Sequence, residues 1–97
     1  MIIKMFNVYD SKVEAYHRPF FANSTGEAKR MIIEAAKDES SMLFQYPADF
    51  TLFEIGDFDD NDGQIELYES AVNLGNVIML ASEGRTTKNL AEELANS

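Results

Sequence analysis

A short acidic turn between two apolar runs constrains the fold of this chain more than any other feature. The runs Phe50 to Ile55 and Ile65 to Tyr68 are rich in β-branched and aromatic residues. The sequence Asn61-Asp62-Gly63 between them supplies residues that tolerate positive φ. This is the local pattern of a β-hairpin. Gly56, inside the first run, predicts a β-bulge or a close backbone approach.

The segment before this hairpin predicts a second hairpin and a helix. Residues 2–9 favour a strand, and residues 13–21 favour another in which Pro19 marks an edge or an end. Ser24 and Glu27 have the spacing of a capping box. The residues that follow carry an apolar stripe at helical spacing and predict a helix over residues 25–37. The stripe consists of Ala28, Met31, Ile32, Ala35 and Ala36.

The remaining segments are less regular. Residues 42–46 form an apolar connection that ends at Pro47, and residues 70–80 are compatible with a helix or a strand, of which we favour the helix. We expect a single α+β domain over residues 1–82, with a small antiparallel sheet of two β-hairpins in ββαββ order packed on one main helix. Short C-terminal helical segments would follow, and residues 83–97 read as a variable tail with helix-forming residues.

Charge is unevenly distributed along the 97 residues. Residues 1–37 carry a net charge of +2, residues 38–84 carry −11 without a single Lys, Arg or His, and residues 85–97 are balanced. A field of this kind repels nucleic acid over the central segment and attracts a basic partner, although it also serves solubility. The absence of cysteine excludes disulfides and zinc ribbons, and the apolar start is too short for a signal peptide. We expect a soluble protein of the cytoplasm without a membrane partner.

Acidic residues in and after the turn form the first candidate site, an acidic partner surface. Gly63 and several carboxylates match a calcium-binding loop in spacing, but Phe58 occupies the first ligand position and the flanks predict strands instead of helices. No resident metal is therefore expected. Weak cation binding and a solvated hairpin tip remain as readings. The residues of this surface are Asp57, Asp59, Asp60, Asp62 and Glu69.

The N-terminal hairpin provides a second candidate site, because bases and aromatic residues alternate there. Single-stranded nucleic acid binds such surfaces by stacking on rings and pairing phosphates with cations. The candidate residues are Lys12, Tyr16, His17 and Arg18. The competing reading places the nearby Phe20 and Phe21 in the core.

No catalytic constellation is recognisable. His17 is the only histidine and has no sequence context that marks a nucleophile, and the carboxylates of the turn lack an apolar pocket that would separate their pKa values. We therefore expect a protein that is not an enzyme and that has no cofactor and no small-molecule substrate.

Four stretches together resemble a known family. They are VYDSKVEAYHRPFF at 8–21, STGEAKR at 24–30, YPADFTLFEIGDFDDNDGQI at 46–65 and NLGNV at 73–77. The chain is similar to the small nonstructural protein of microviruses, the gokushovirus-like phages with single-stranded DNA genomes, which is sometimes described as DNA-binding or replication-associated. The resemblance implies a role beside the capsid, scaffolding and replication-initiation proteins, and it carries over no catalytic residues.

Two functional hypotheses follow. The first is a phage accessory protein that assists replication of a single-stranded DNA genome in the bacterial cytoplasm, through contacts with a phage or host replication protein or through weak binding of single-stranded DNA. The alternative is an acidic DNA mimic that binds and inhibits a basic host protein. Exposed strand edges in so small a sheet favour a symmetric homodimer in either case.

Overall fold

The computed structural model describes residues 1–83 of the chain. Within them, five strands form one antiparallel sheet: β1 (Ile2–Asp10), β2 (Ala15–Tyr16), β3 (Phe20–Ala22), β4 (Phe50–Asp59) and β5 (Ile65–Asn76). The helices are α1 (Thr25–Ala35), α2 (Met42–Gln45) and a 3₁₀ turn over Pro47–Asp49. Residues 77–83 are also helical. The predicted α+β class is confirmed.

The two hairpins are joined through their first strands, β1 and β4. The spatial order is β2-β1-β4-β5. β3 pairs with the same edge of β1 as β2 does, but at Lys4 to Phe6 instead of Tyr9 and Asp10. β1 and β4 pair antiparallel along their whole length, from Ile2 opposite Asp59 to Asp10 opposite Phe50. The first and the last parts of the sheet are thus one continuous surface.

The core lies between one face of this sheet and the helices. Ser24 caps α1, because its side chain accepts a hydrogen bond from the backbone N–H of Glu27 at 3.1 Å, and the Glu27 carboxylate in turn accepts from the N–H of Asn23 at 3.3 Å. The predicted Ser24 cap is therefore present, but the capping box is formed only in part, because Glu27 bonds the N–H of the residue before the cap instead of that of Ser24. The buried residues are Phe6, Val8, Ala22, Ala28, Ile32, Ala36, Phe50, Leu52, Val77 and Leu80.

Two sequence expectations need correction. Residues 13–21 form two short strands instead of one, with Pro19 in the connection between them. Residues 70–76 belong to β5, so the preference for a helix over 70–80 is wrong there: Val72 and Asn73 pair with Glu54 and Phe53 of β4. Pairing with an already ordered strand outweighs local helix propensity.

The chain becomes helical only from residue 77. Asn76 marks this boundary, because its Oδ1 accepts a hydrogen bond from the backbone N–H of Ile78 at 3.1 Å. No helix within residues 1–83 combines the length and the apolarity that a bilayer span requires. The tail expected over residues 83–97 lies, from 84 onward, outside the described residues.

Candidate functional site: the open face of the sheet

The face of the sheet that points away from the helices carries no charged side chain at any paired position. Buried Phe6, Val8 and Leu52 point toward the helices, so their neighbours along β1 and β4 point the other way. Cross-strand partners share a face. We call the resulting set the open face. It consists of Ile3, Met5, Asn7, Tyr9, Tyr16, Phe21, Thr51, Phe53, Gly56, Phe58, Ile65, Leu67, Asn73 and Asn76.

These residues form four rows across the strands. The two rows nearest the acidic turn are apolar, with Ile3, Phe58 and Ile65 in one and Phe21, Met5, Gly56 and Leu67 in the next. The other two rows mix aromatic rings with amides and a hydroxyl. None of these residues belongs to the buried core or to the side chains packed against it. In the described part of the chain, the open face is therefore uncovered.

Aromatic rings contact one another at both ends of the open face. The ring of Tyr16 lies 4.8 Å from that of Tyr9 and 6.3 Å from that of Phe53, measured between centroids. At the other end, the rings of Phe21 and Phe58 are 5.4 Å apart. Tyr16 is 59% exposed, and Leu67 on the opposite edge strand is 64% exposed. Large apolar groups are thus exposed at both edges of the sheet, and those of the central strands β1 and β4 are half-buried.

A β-bulge at Ile55 separates the charges from this face. Phe6 pairs with Glu54 while its neighbour Met5 pairs with Gly56, so Ile55 is an extra residue in β4. The alternation shifts by one position there. As a result Asp57 shares the helix-covered face with Glu54, and Phe58 shares the open face with Phe53. If Ile55 were paired and the alternation ran through it without a bulge, the carboxylate and the ring would exchange faces.

Gly56, next to this bulge, allows β5 to approach closely. A Cβ atom built on Gly56 would lie 2.6 Å from the backbone oxygen of Glu66 on β5, closer than a side chain tolerates. The bulge predicted at Gly56 is confirmed, together with the close backbone approach. β5 is also irregular opposite this point. Leu67 pairs with Gly56 and Val72 pairs with Glu54, so the four residues 68–71 of β5 stand opposite the single residue Ile55 of β4.

A cluster around the buried carboxylate of Glu54 on the helix-covered face links four elements. Glu54 Oε1 accepts a hydrogen bond from the Thr25 hydroxyl of α1 at 2.6 Å, and Lys4 Nζ of β1 lies 3.5 Å from Oε2. The Tyr68 hydroxyl of β5 lies 2.8 Å from Glu54 Oε2 and 2.9 Å from Asp57 Oδ1. These groups satisfy one another and hold α1 on the sheet. We define them as the Glu54 cluster.

The pKa values in this cluster are shifted in opposite directions. Burial raises the pKa of Glu54, but the hydrogen bonds from Thr25 and Tyr68 and the charge of Lys4 together lower it below its ordinary value. The pKa of Tyr68 is strongly raised by burial and by its two carboxylate neighbours. Glu54 therefore stays ionised and Tyr68 stays protonated at neutral pH. Sequence reasoning missed this cluster, since its members are far apart in the chain.

The acidic residues predicted as one partner surface serve several local purposes. Asp59 and Asp62 accept hydrogen bonds from the backbone N–H groups of Asn61 and Gln64, at 2.9 and 3.0 Å. Asp60 accepts from the amino group of Met1 at 2.7 Å. These bonds order the turn, in which Gly63 has the positive φ that the sequence predicts. Asp57 belongs to the Glu54 cluster, and Glu69 lies exposed in the irregular part of β5.

A small groove nevertheless collects several carboxylates at this end of the molecule. Its volume is about 130 Å³, and it is lined by Ile2, Asp57, Asp59, Asp62, Gln64 and Glu66. Among residues 1–83, no three or more acidic, histidine or cysteine side chains are arranged to hold a metal ion.

The structure does not bring the predicted basic and aromatic residues onto one surface. Tyr16 lies on the open face, whereas the ring of His17 packs against Phe50 of the helix-covered face at 5.4 Å. Lys12 lies in the turn after β1, where its backbone N–H donates to Asp10 Oδ1 at 3.0 Å. Arg18 lies in the connection between β2 and β3. All four are exposed at one edge of the sheet.

A comparison with known proteins places the chain in a family. The phage ORF5 protein family matches residues 3–80. The chain belongs to this family. The match runs from β1 into the final described helix, so the sheet, its open face and the Glu54 cluster are all features of an ORF5 protein. The resemblance to a phage protein is thus confirmed at this coarser level. No curated protein and no solved structure matches the chain.

Proposed function

We propose that this ORF5 protein is a non-enzymatic accessory factor in replication of a single-stranded DNA phage genome, acting in the host cytoplasm through protein contacts made by the open face. Membership of a phage family supports the setting, and the resemblance to microvirus proteins supports replication as the process. The observation that carries the mode of action is the open face itself. Fourteen paired positions without one charge are the composition of a protein-binding patch, where charged residues are depleted.

A matched pair of variants on β5 tests this proposal. Leu67 and Val72 are both exposed apolar residues of this strand, but Leu67 pairs with Gly56 on the open face and Val72 pairs with Glu54 on the other face. In phage that carries Leu67→Lys, we expect less single-stranded progeny DNA relative to the double-stranded replicative form, measured by strand-specific hybridisation. Phage with Val72→Lys should behave as wild type. Equal genome yields from the two variants contradict the proposal.

Single-stranded DNA is a second candidate for the same face, favoured by the contacting rings of Tyr9, Tyr16 and Phe53 beside exposed Lys12 and Arg18. Anisotropy of a labelled oligonucleotide distinguishes the two modes by sign. A lysine at position 67 strengthens binding to phosphates but weakens an apolar protein contact. Arg18→Glu should weaken oligonucleotide binding and reduce its salt dependence if DNA is bound.

The acidic groove supports a DNA mimic as the alternative function. Asp57, Asp59, Asp62 and Glu66 line it, within the segment that carries the charge of −11. A basic host protein would be captured by the wild-type chain and released by Asp59→Asn combined with Asp60→Asn. Capture that is unaffected by this double variant excludes the mimic.

A further inference from the structure

The open face has the composition of a buried layer, although no described element covers it. A sheet with one solvated face alternates apolar and polar residues along its strands. In β1 the inward Phe6 and Val8 alternate with the outward Ile3, Met5, Asn7 and Tyr9, so the outward positions carry no charge and are mostly apolar. This pattern is typical of a sheet that is buried on both sides. Contiguous apolar patches of this kind on soluble proteins mark interaction sites.

We propose that the occupant is a second copy of this chain, packed sheet against sheet around a two-fold axis. This rests on the assignment of the open face to protein contacts in the proposed function. In this dimer the two copies meet through side chains, and the outer edge of β5 stays unpaired. In an edge-to-edge dimer, by contrast, the copies would pair through backbone hydrogen bonds. Aligned sheets pack face to face about 10 Å apart, which is the separation that two layers of interdigitating side chains fill.

Charge favours a second copy over a charged partner. The open face has no carboxylate or ammonium group at its paired positions, so it offers no complement to a basic protein or to phosphates. An identical uncharged face has nothing to desolvate except amides and hydroxyls. The chain's net charge of −9 still repels a second copy, but the acidic residues of β1 and β4 lie on the opposite face. The two −11 segments therefore approach only at their margins.

The rows of the open face set the orientation. If the axis runs parallel to the strands, each row faces its own copy, and the two apolar rows around Met5 and Phe58 pack on their equivalents. An axis across the strands would place these rows against Tyr9, Asn73 and Asn76 instead. Apolar contact is larger in the first arrangement, so we infer the axis parallel to the strands.

The size of the face predicts a dimer of modest affinity. Four strands and four rows cover roughly 20 Å by 20 Å, or about 400 Å² of flat footprint per copy. Because a corrugated surface has more accessible area than its footprint, two copies bury on the order of 1,000 Å², the lower end for a specific interface. We therefore expect a dissociation constant in roughly the micromolar range.

Sedimentation velocity of the full-length protein tests the inference, over concentrations of roughly 1 to 500 μM. We expect a reversible monomer–dimer equilibrium in the wild type, and a dissociation constant raised by at least about tenfold in Leu67→Lys, because each copy then buries an unpaired charge. Ile65→Lys is a second variant on the same face, and Val72→Lys is the matched control on the opposite face. Circular dichroism shows whether each variant is folded.

Three results would overturn the proposed dimer. A wild type that stays monomeric over the whole range overturns the inference, as does a Val72→Lys variant that weakens association as much as Leu67→Lys. An oligonucleotide that binds more tightly to Leu67→Lys than to wild type makes nucleic acid the occupant and also overturns it.

The same variants separate this inference from the proposed function. A monomeric wild type whose Leu67→Lys phage still loses single-stranded progeny DNA removes the dimer and leaves the replication role. A dimer that Leu67→Lys breaks without any effect on progeny DNA removes the replication role and leaves the dimer.

Discussion

Replacing Tyr68 by phenylalanine removes one hydroxyl from the Glu54 cluster and should destabilise the fold measurably. The hydroxyl lies within 3 Å of carboxylate oxygens of both Glu54 and Asp57, and its single proton donates to one of them at a time. A hydrogen bond to a charged group contributes about 1.5–3 kcal/mol, and Glu54 keeps its bonds to Thr25 and Lys4. We expect a loss in this range, equivalent to a Tm lower by at least about 6 °C.

The loss of stability in Tyr68→Phe should depend on pH. The pKa of Glu54 is lowered from its ordinary value of 4.5 in the folded chain, so its ionised form contributes stability above that value and loses it as pH falls through the folded pKa. Without the Tyr68 hydroxyl, this pKa is lowered less. The difference in stability between wild type and Tyr68→Phe should therefore be largest near neutral pH and shrink as the pH falls below 4.5 and through the folded pKa of Glu54.

The stability at alkaline pH depends on ionisation of the same hydroxyl. The pKa of Tyr68 is raised above its ordinary value of 10.0, so the folded chain retains a proton that the unfolded chain releases. The free energy of unfolding of the wild type should decrease as pH rises above about 10. In Tyr68→Phe, the part of this decrease that comes from the Tyr68 hydroxyl should be absent.

Urea denaturation of both proteins at several pH values measures these differences, and Tyr46→Phe is the control, since Tyr46 is 52% exposed. The control should stay within about 0.5 kcal/mol of wild type. A Tyr68→Phe loss below that size, or one equal at neutral and acidic pH, refutes the reasoning.

Three further predictions concern the bulge and the cap. Gly56→Ala should cost more than about 2 kcal/mol in urea denaturation, because its Cβ would lie 2.6 Å from the backbone oxygen of Glu66. Gly26→Ala in α1 should be neutral or stabilising by up to about 1 kcal/mol, because its Cβ would meet only Ser24 Oγ, at 4.0 Å. Similar denaturation midpoints for the two variants would be inconsistent with the close approach at Gly56. Ser24→Ala should lose about 1 kcal/mol by the same measurement, and an unchanged midpoint would mean that the cap contributes nothing. Deleting Ile55 should leave a cooperative calorimetric transition, because Gly56 then follows Glu54 directly and Asp57 and Phe58 keep their faces; loss of the transition would show that the extra residue itself is required.

Local signals in the sequence were sufficient for the hairpin, the cap and the bulge. Asn61-Asp62-Gly63, Ser24 with Glu27, and Gly56 each act over a few residues, so their chemistry is visible without a fold. Residues 70–76 show where this reasoning ends. Their helix propensity was outweighed by pairing with β4, and nothing within the segment itself reports that neighbour.

The open face and the Glu54 cluster were beyond local reasoning for two different reasons. In β1 the apolar residues fall on both sets of alternate positions, Phe6 and Val8 on one and Met5 and Tyr9 on the other, so the pattern does not tell which face the helices cover. In the cluster, Lys4, Thr25 and Tyr68 come from three separate elements and meet only around Glu54. The acidic turn was conspicuous in sequence because its residues are adjacent, yet most of its carboxylates serve to order the turn.

The pairing of β1 with β4 also governs the order in which the chain can fold as it is synthesised. β1 leaves the ribosome first, but its longest partner begins at Phe50 and ends at Asp59. Before then, β1 has only the short strands β2 and β3 to pair with, and the core lacks Phe50 and Leu52. Contacts of this sequence separation slow folding. During synthesis we therefore expect an incomplete sheet with an exposed apolar surface until the acidic hairpin emerges. The carboxylates of that hairpin then give neighbouring nascent chains a like charge, which opposes their association.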